Sequence, residues 1–116
     1  MEIPESIKDE FIAKGGIEGL KEKLPDNQQI ERFSAIFHGL SDPVRVKILF
    51  LTDVQPVCVC ILRKILNISY SKLSYHLSAL MKSGLIFSRR EGKWIIYQST
   101  KLGKTLLSKC LEENLR

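Results

Sequence analysis

Apolar residues recur at helical spacing along most of the chain. Between Gln28 and Leu40, the residues Ile30, Phe33, Ile36, Phe37 and Leu40 fall at i, i+3, i+6, i+7 and i+10, one continuous stripe. Upstream, Met1 to Asn27 reads as an arm. Ile7, Phe11 and Ile12 have helical spacing, Gly15 and Gly16 interrupt it, Ile17 and Leu20 resume it, and Pro25 with Asp26 ends it. Downstream, Asp42 is a good N-cap and Pro43 suits a first helical position, where its missing N–H is not needed. A short helix through Val44, Ile48, Leu49 and Leu51 is predicted, broken over Asp53 to Pro56. Cys58 to Leu66 reads as a further helix, with Val59, Leu62 and Leu66 on one face. The tripeptide "NIS" makes a turn, and Ser69 caps a helix over Tyr70 to Ser83 whose apolar face is Leu73, Leu77, Leu80 and Met81. Gly84 stops it. Two short helices joined by a tight turn are the pattern of a helix-turn-helix.

The period then falls from about 3.6 to 2. In "LIFSRREGKWIIYQST", Ile86, Ser88 and Arg90 alternate with Phe87 and Arg89, Glu91-Gly92 supplies a turn, and Lys93 to Gln98 forms a second strand. The result is a β-hairpin tipped with Arg89, Arg90 and Lys93. A last helix, Lys101 to Asn114, aligns Leu102, Leu106, Leu107, Cys110 and Leu111, a stripe wide enough for a dimer seam. The expected fold is mainly α with a small β-hairpin, a winged helix-turn-helix. The expected organisation is an N-terminal arm over 1–27 and a winged domain over 28–116.

Charge sharpens this picture. The 116 residues carry a net +5, unevenly spread. Residues 1–28 hold four Lys against seven acids, whereas Arg63 to Lys93 hold seven basic residues and one acid, Glu91. Such a basic stretch on a helix-turn-helix is an electrostatic footprint for nucleic acid, against the plainer reading of a solvated surface. No apolar run approaches the roughly 18 residues that a membrane span needs. The opening "MEIPESIKDE" is acidic and lacks the features of a signal peptide, so a cytoplasmic location with no membrane partner is expected. Enzyme chemistry has little support. His38 and His76 fall on separate helices with no nucleophile pattern beside them, and no Cys-x-x-Cys stands in a βαβ setting.

Three ordered motifs resemble the ArsR/SmtB metalloregulatory repressors. "GLSDPVRVKIL" is similar to the family's "ALSDPTRLRIL", "CVCILRKILNISYSKLSYHLSALMKSGLI" to "CVCDLAEALGLSQSTVSHHLKVLREAGLV", and "RREGKWIIYQ" to "RREGRWVYYRL". The likeness runs without a gap from about Phe33 to Gln98. It implies a homodimeric, non-enzymatic repressor that binds double-stranded operator DNA and releases it when a toxic metal or another inducer binds. The dimer would form through the first and last helices of the winged domain, with the N-terminal arm as a further candidate.

The second helix of such a motif enters the major groove by its N-terminal turns. Opposite Leu73, Leu77 and Leu80 lie Ser71, Ser74, Tyr75, Ser78 and Lys82, with Lys72 at one side. The expected DNA contacts are Ser69, Ser71, Lys72, Ser74 and Tyr75, whose hydroxyls and ammonium suit base edges and phosphates. His76, at the boundary of the apolar face, is a candidate reader but fits a half-buried packing role better. Arg89, Arg90 and Lys93 are candidates for the flanking backbone or minor groove.

Cys58 and Cys60 are open to four readings: a metal site, a redox switch, a disulfide, or two small apolar residues. Residues i and i+2 on a helix point about 200° apart, whereas on an extended segment they point to one side. The pair can hold one ion only if the helix start is unwound or unwinds on binding, and Pro56 just upstream makes that end suited to such a change. Thiolates select soft centres. The family's "CVCD" has an acidic ligand where this chain has Ile61, its arsenic pattern has a third cysteine where this chain has Arg63, and the last helix has no histidine. Two thiolates are too few for a closed zinc site. They suit As(III) or Sb(III) as an inducer rather than an obligatory cofactor, with an outside thiol or Cys110 as third ligand. Cys110 reads more simply as a small apolar residue of the helix seam. The alternative function is a repressor sensing redox state or reactive sulfur through the same thiols.

Overall fold

A computed structural model describes residues 1–114. The last two residues of the expected 28–116 domain therefore lie outside the described residues. Among the described residues there are seven helices, α1 (Glu5–Ala13), α2 (Gly16–Glu22), α3 (Asn27–Gly39), α4 (Pro43–Val54), α5 (Val59–Leu66), α6 (Tyr70–Lys82) and α7 (Lys101–Asn114). Three strands, β1 (Val57–Cys58), β2 (Ile86–Glu91) and β3 (Trp94–Ser99), make one antiparallel sheet in the order β1-β3-β2. The chain divides into two units, Met1–Glu31 and Arg32–Arg116, with the division inside α3.

In the first unit, α1 and α2 are joined through Gly15 and Gly16, which take φ of 93° and 66°. Neither helix buries a residue, and Ile7, Ile12, Ile17 and Leu20 are exposed.

The second unit is the winged helix-turn-helix. Asp42 caps α4 by accepting from the Val44 amide at 2.7 Å, with Pro43 at the first helical position. α5 ends on Asn67 in the left-handed region, φ 54°, a conformation that asparagine tolerates better than most residues. Ser69 then caps α6 through the Lys72 amide. The core gathers Ile48 and Leu49 of α4, Leu62 of α5, Leu73, Leu77 and Leu80 of α6, Leu85 and Ile86, Val57, Tyr97 and Leu107. The recognition helix is thus held by the same apolar cluster that seats the sheet.

Three expectations change. The wing is a three-stranded sheet, because Val57 pairs with Tyr97 and Cys58 with Ile96. The helix expected from Cys58 begins at Val59, since Cys58 is spent on that strand. The hairpin turn is Gly92-Lys93, not Glu91-Gly92, and the second strand starts at Trp94: Glu91 pairs with Trp94. Gly92 takes φ 60° while Lys93 keeps a negative φ, which suits a two-residue turn with glycine leading.

Two close approaches fix how α7 starts. The Thr100 hydroxyl donates to the Gly84 carbonyl at 2.6 Å and accepts from the Gly103 amide at 3.1 Å, so it caps the helix. A Cβ on Gly103 would stand 2.5 Å from the Leu85 carbonyl oxygen, so only glycine lets α7 pass that strand entry.

Candidate functional site

The DNA-facing candidates are positioned by the burial of the opposite side of α6. With Leu73, Leu77 and Leu80 in the core, helical geometry turns Ser71, Lys72, Ser74 and Tyr75 outward, and all four are exposed. Ser69, also exposed, is partly committed. Its hydroxyl accepts from the Lys72 amide at 3.2 Å and lies 3.3 Å from the Ser71 hydroxyl. These residues share the N-terminal half of the helix, where unpaired amides add positive potential.

His76 is half-buried, and its Nδ1 accepts from Arg45 Nε at 3.1 Å. Arg45 donates only, so the ring proton of neutral His76 sits on Nε2. Arg45 is 3% exposed and also donates through Nη1 to the His38 carbonyl at 2.9 Å. Its guanidinium carbon lies 5.3 Å from the centre of the Tyr75 ring, which itself meets His76 edge-on. One buried cation therefore ties the last turn of α3, its own helix α4 and the middle of α6 together. It stands at the C-terminal end of α3, where a helix dipole favours positive charge. The sequence reading passed over Arg45. The available signal was its position, three and four residues before Ile48 and Leu49 and so on the apolar face of α4.

On the wing, Arg89, Arg90 and Lys93 are exposed. Arg89 is engaged by Glu91, and the Lys93 ammonium lies 5.2 Å over the Trp94 ring. Behind the wing, Asp53 accepts from Ser99 and from Lys104, each at 2.9 Å, fastening the end of α4 to β3 and α7. Those two hydrogen bonds, Lys104 foremost, hold the Asp53 carboxyl below its ordinary value.

The thiol pair sits at a joint. Cys58 is extended, φ −93° and ψ 167°, and is the N-cap residue of α5, while Cys60 is in its first turn. This break in helical geometry brings the two side chains to one side. The neighbouring Cys60 thiol lowers the Cys58 thiol below its ordinary value, and Cys58 in turn raises that of Cys60. All three cysteines are free, with Cys58 half-buried and Cys60 and Cys110 exposed. Among the described residues no group of three or more His, Cys, Asp or Glu is placed to hold a metal ion, so Cys110 on α7 does not join the pair within one chain. Instead the pair opens on a cavity of about 290 Å³, walled also by Arg63, Tyr70, Lys93 and Trp94. No helix of the described residues is long and apolar enough to cross a membrane.

Comparison with known proteins agrees with this architecture. Residues 42–88 match the model of the bacterial regulatory protein arsR family, a family of regulators and not of enzymes. The chain is 35% identical over 82 residues to the arsenical resistance operon repressor of Escherichia coli K12, covering 70% of each protein. It is 34% identical over 80 residues to a putative arsenical resistance operon repressor ArsR of Halobacterium salinarum, covering 67% of this chain but only 62% of that protein's length. In fold it is similar to the homodimeric winged helix-turn-helix DNA-binding domain of a Mycobacterium bovis protein, with a TM-score of 0.67, 21% identity, and coverage of 80% of this chain and 92% of that one. With this likeness in sequence and fold, the chain belongs to the arsR family of bacterial regulatory proteins.

Proposed function

We propose that the protein is a homodimeric repressor that holds operator DNA through α6 and the wing and lets it go when As(III) or Sb(III) is bound by Cys58 and Cys60. The observation that carries this reading is the place of the pair. Cys58 is paired with Ile96 of the wing strand and begins the first helix of the helix-turn-helix, so a ligand drawing the two sulfurs together acts on both DNA-contacting elements. Dimer half-sites need fixed spacing, and a shift at this joint changes it. The donor set fits a soft trivalent centre: two thiolates supply two of its three bonds. Phe33 and Phe37 of α3, 48% and 68% exposed, and Leu102 and Leu111 of α7 offer apolar surface for the second copy. The names of the Escherichia coli and Halobacterium relatives point to the same class of inducer.

DNA from upstream of the protein's own gene, followed by fluorescence anisotropy, tests this. Affinity should fall steeply with salt, as phosphate contacts require. Arsenite near stoichiometry should release the DNA from the wild type and leave the Cys58→Ser/Cys60→Ser variant bound. A double variant that still responds places sensing elsewhere. A second reading, release by oxidants or reactive sulfur, is favoured by the lowered Cys58 thiol beside an exposed Cys60. DNA binding that ignores arsenite but yields to a persulfide donor would select it.

A further inference from the structure

The pair leaves one bond of a trivalent arsenic unfilled, and no third ligand stands beside it among the described residues of one chain. The space in front of the sulfurs is not neutral. The 290 Å³ cavity has two cations on its wall, Arg63 one helical turn after Cys60 and Lys93 from the wing turn. No acidic side chain lines it. Tyr70 and Trp94 give it aromatic sides. Both cations are exposed, and neither Arg63 nor Lys93 makes an ion pair with an acid among the described residues. A volume of this size takes a small molecule of several heavy atoms beyond the arsenic itself.

We infer that the cavity is the seat of a small anionic thiol, a thiol bearing one or more carboxylates, which supplies the third sulfur to arsenic held by Cys58 and Cys60. The proposal rests on the reading that this pair binds arsenic. The chemistry balances without a change of oxidation state. Arsenous acid loses three hydroxyls, three S–H bonds lose their protons, three As–S bonds form and three waters leave. The carboxylate of the added thiol meets Arg63 and Lys93. Lys93 belongs to the turn of the wing, so a ligand that engages it also withdraws a cation from the DNA-facing edge.

Trp94 is the chain's one tryptophan, so its emission reports directly on the cavity. Reduced protein in thiol-free buffer is titrated with arsenite alone and with equal concentrations of mercaptosuccinate, 2-mercaptoethanol or cysteamine, following Trp94 emission and near-ultraviolet As–S absorption. Phenylarsonous acid, which needs only two sulfurs, serves as the control for the pair. The expected result is that mercaptosuccinate tightens arsenite binding about fivefold relative to cysteamine, as two solvent-exposed charge contacts allow. The preference should vanish in the Arg63→Gln/Lys93→Gln variant, with phenylarsonous acid binding unchanged. Arsenite binding that is indifferent to added thiol, or to its charge, overturns the proposal. So does loss of arsenite binding in Cys110→Ser with phenylarsonous acid still bound, since a partner copy's Cys110 would then be the third ligand. If phenylarsonous acid also fails to bind the wild type, the underlying reading of the pair falls, and this proposal with it.

Discussion

Replacing Arg45 by methionine tests whether a buried cation orients the recognition helix. The side chains are similar in length, so little void is left, and the change removes mainly charge and donors. Two hydrogen bonds are lost, at 2.9 Å to the His38 carbonyl and 3.1 Å to His76. Each charge-assisted bond contributes about 1.5 kcal/mol. The contact with the Tyr75 face adds about 0.5–1 kcal/mol. Against this, methionine escapes the desolvation that a guanidinium 3% exposed must bear, which offsets a substantial part. The His38 carbonyl is not orphaned, because the Ser41 hydroxyl still donates to it at 2.7 Å. The net loss is then about 2 kcal/mol. In urea this lowers the midpoint by about 1–2 M with the slope unchanged. A double-mutant cycle with His76→Ala isolates the tie to α6 and should give a coupling of about 1 kcal/mol. Operator affinity should fall in both single variants, since α6 loses its link to α3 and α4. A coupling below about 0.3 kcal/mol, or an Arg45→Met variant as stable as the wild type, would refute the argument that this network holds the helix.

Three further outcomes are expected. Asp53, whose carboxyl is held below its ordinary 3.8 by Lys104 and Ser99, adds stability above that pH and loses it as pH falls through the lowered value. The stability gap between the wild type and Asp53→Asn should accordingly be widest near neutrality and close on the acid side, measured by denaturation across pH. Gly103→Ala drives a Cβ to within 2.5 Å of the Leu85 carbonyl and should lower stability by about 1–3 kcal/mol, read as a drop in Tm. Alkylation followed by mass spectrometry across pH should modify Cys58 with a midpoint below 9.0 and Cys60 with one above it, because the neighbouring Cys60 thiol favours thiolate on Cys58; equal profiles would show that the two sulfurs do not interact.

The helices were legible because each carries its own stripe and its own punctuation. Asp42-Pro43, Ser69 and Gly84 mark ends by local chemistry alone, and the structure uses them so. Val57–Cys58 was not legible. A two-residue strand has no periodicity, and its identity comes from Tyr97 and Ile96, some forty residues away. The apolar spacing of Val59, Leu62 and Leu66 is equally served by a helix starting one residue earlier. The same reason hid the geometry of the thiol pair, since whether two cysteines at i and i+2 face one way depends on that single residue's backbone. Arg45 was hidden differently. A charge on an apolar face looks like a solvated exception until the partners that satisfy it, His38 and His76, are brought in from other helices.

The joint at Cys58 also divides labour within a few residues. Val57 and Leu62 are in the core, whereas Cys60 and Ile61 are exposed and Cys58 is only half-buried. The side chains at 58, 60 and 61 are therefore interchangeable parts on a fixed frame. Donor atoms there can be exchanged, hard for soft or oxygen for sulfur, without disturbing the packing that seats α6. On the proposed sensing role, a scaffold built this way diversifies what it detects while the packing behind its DNA-facing helix stays the same.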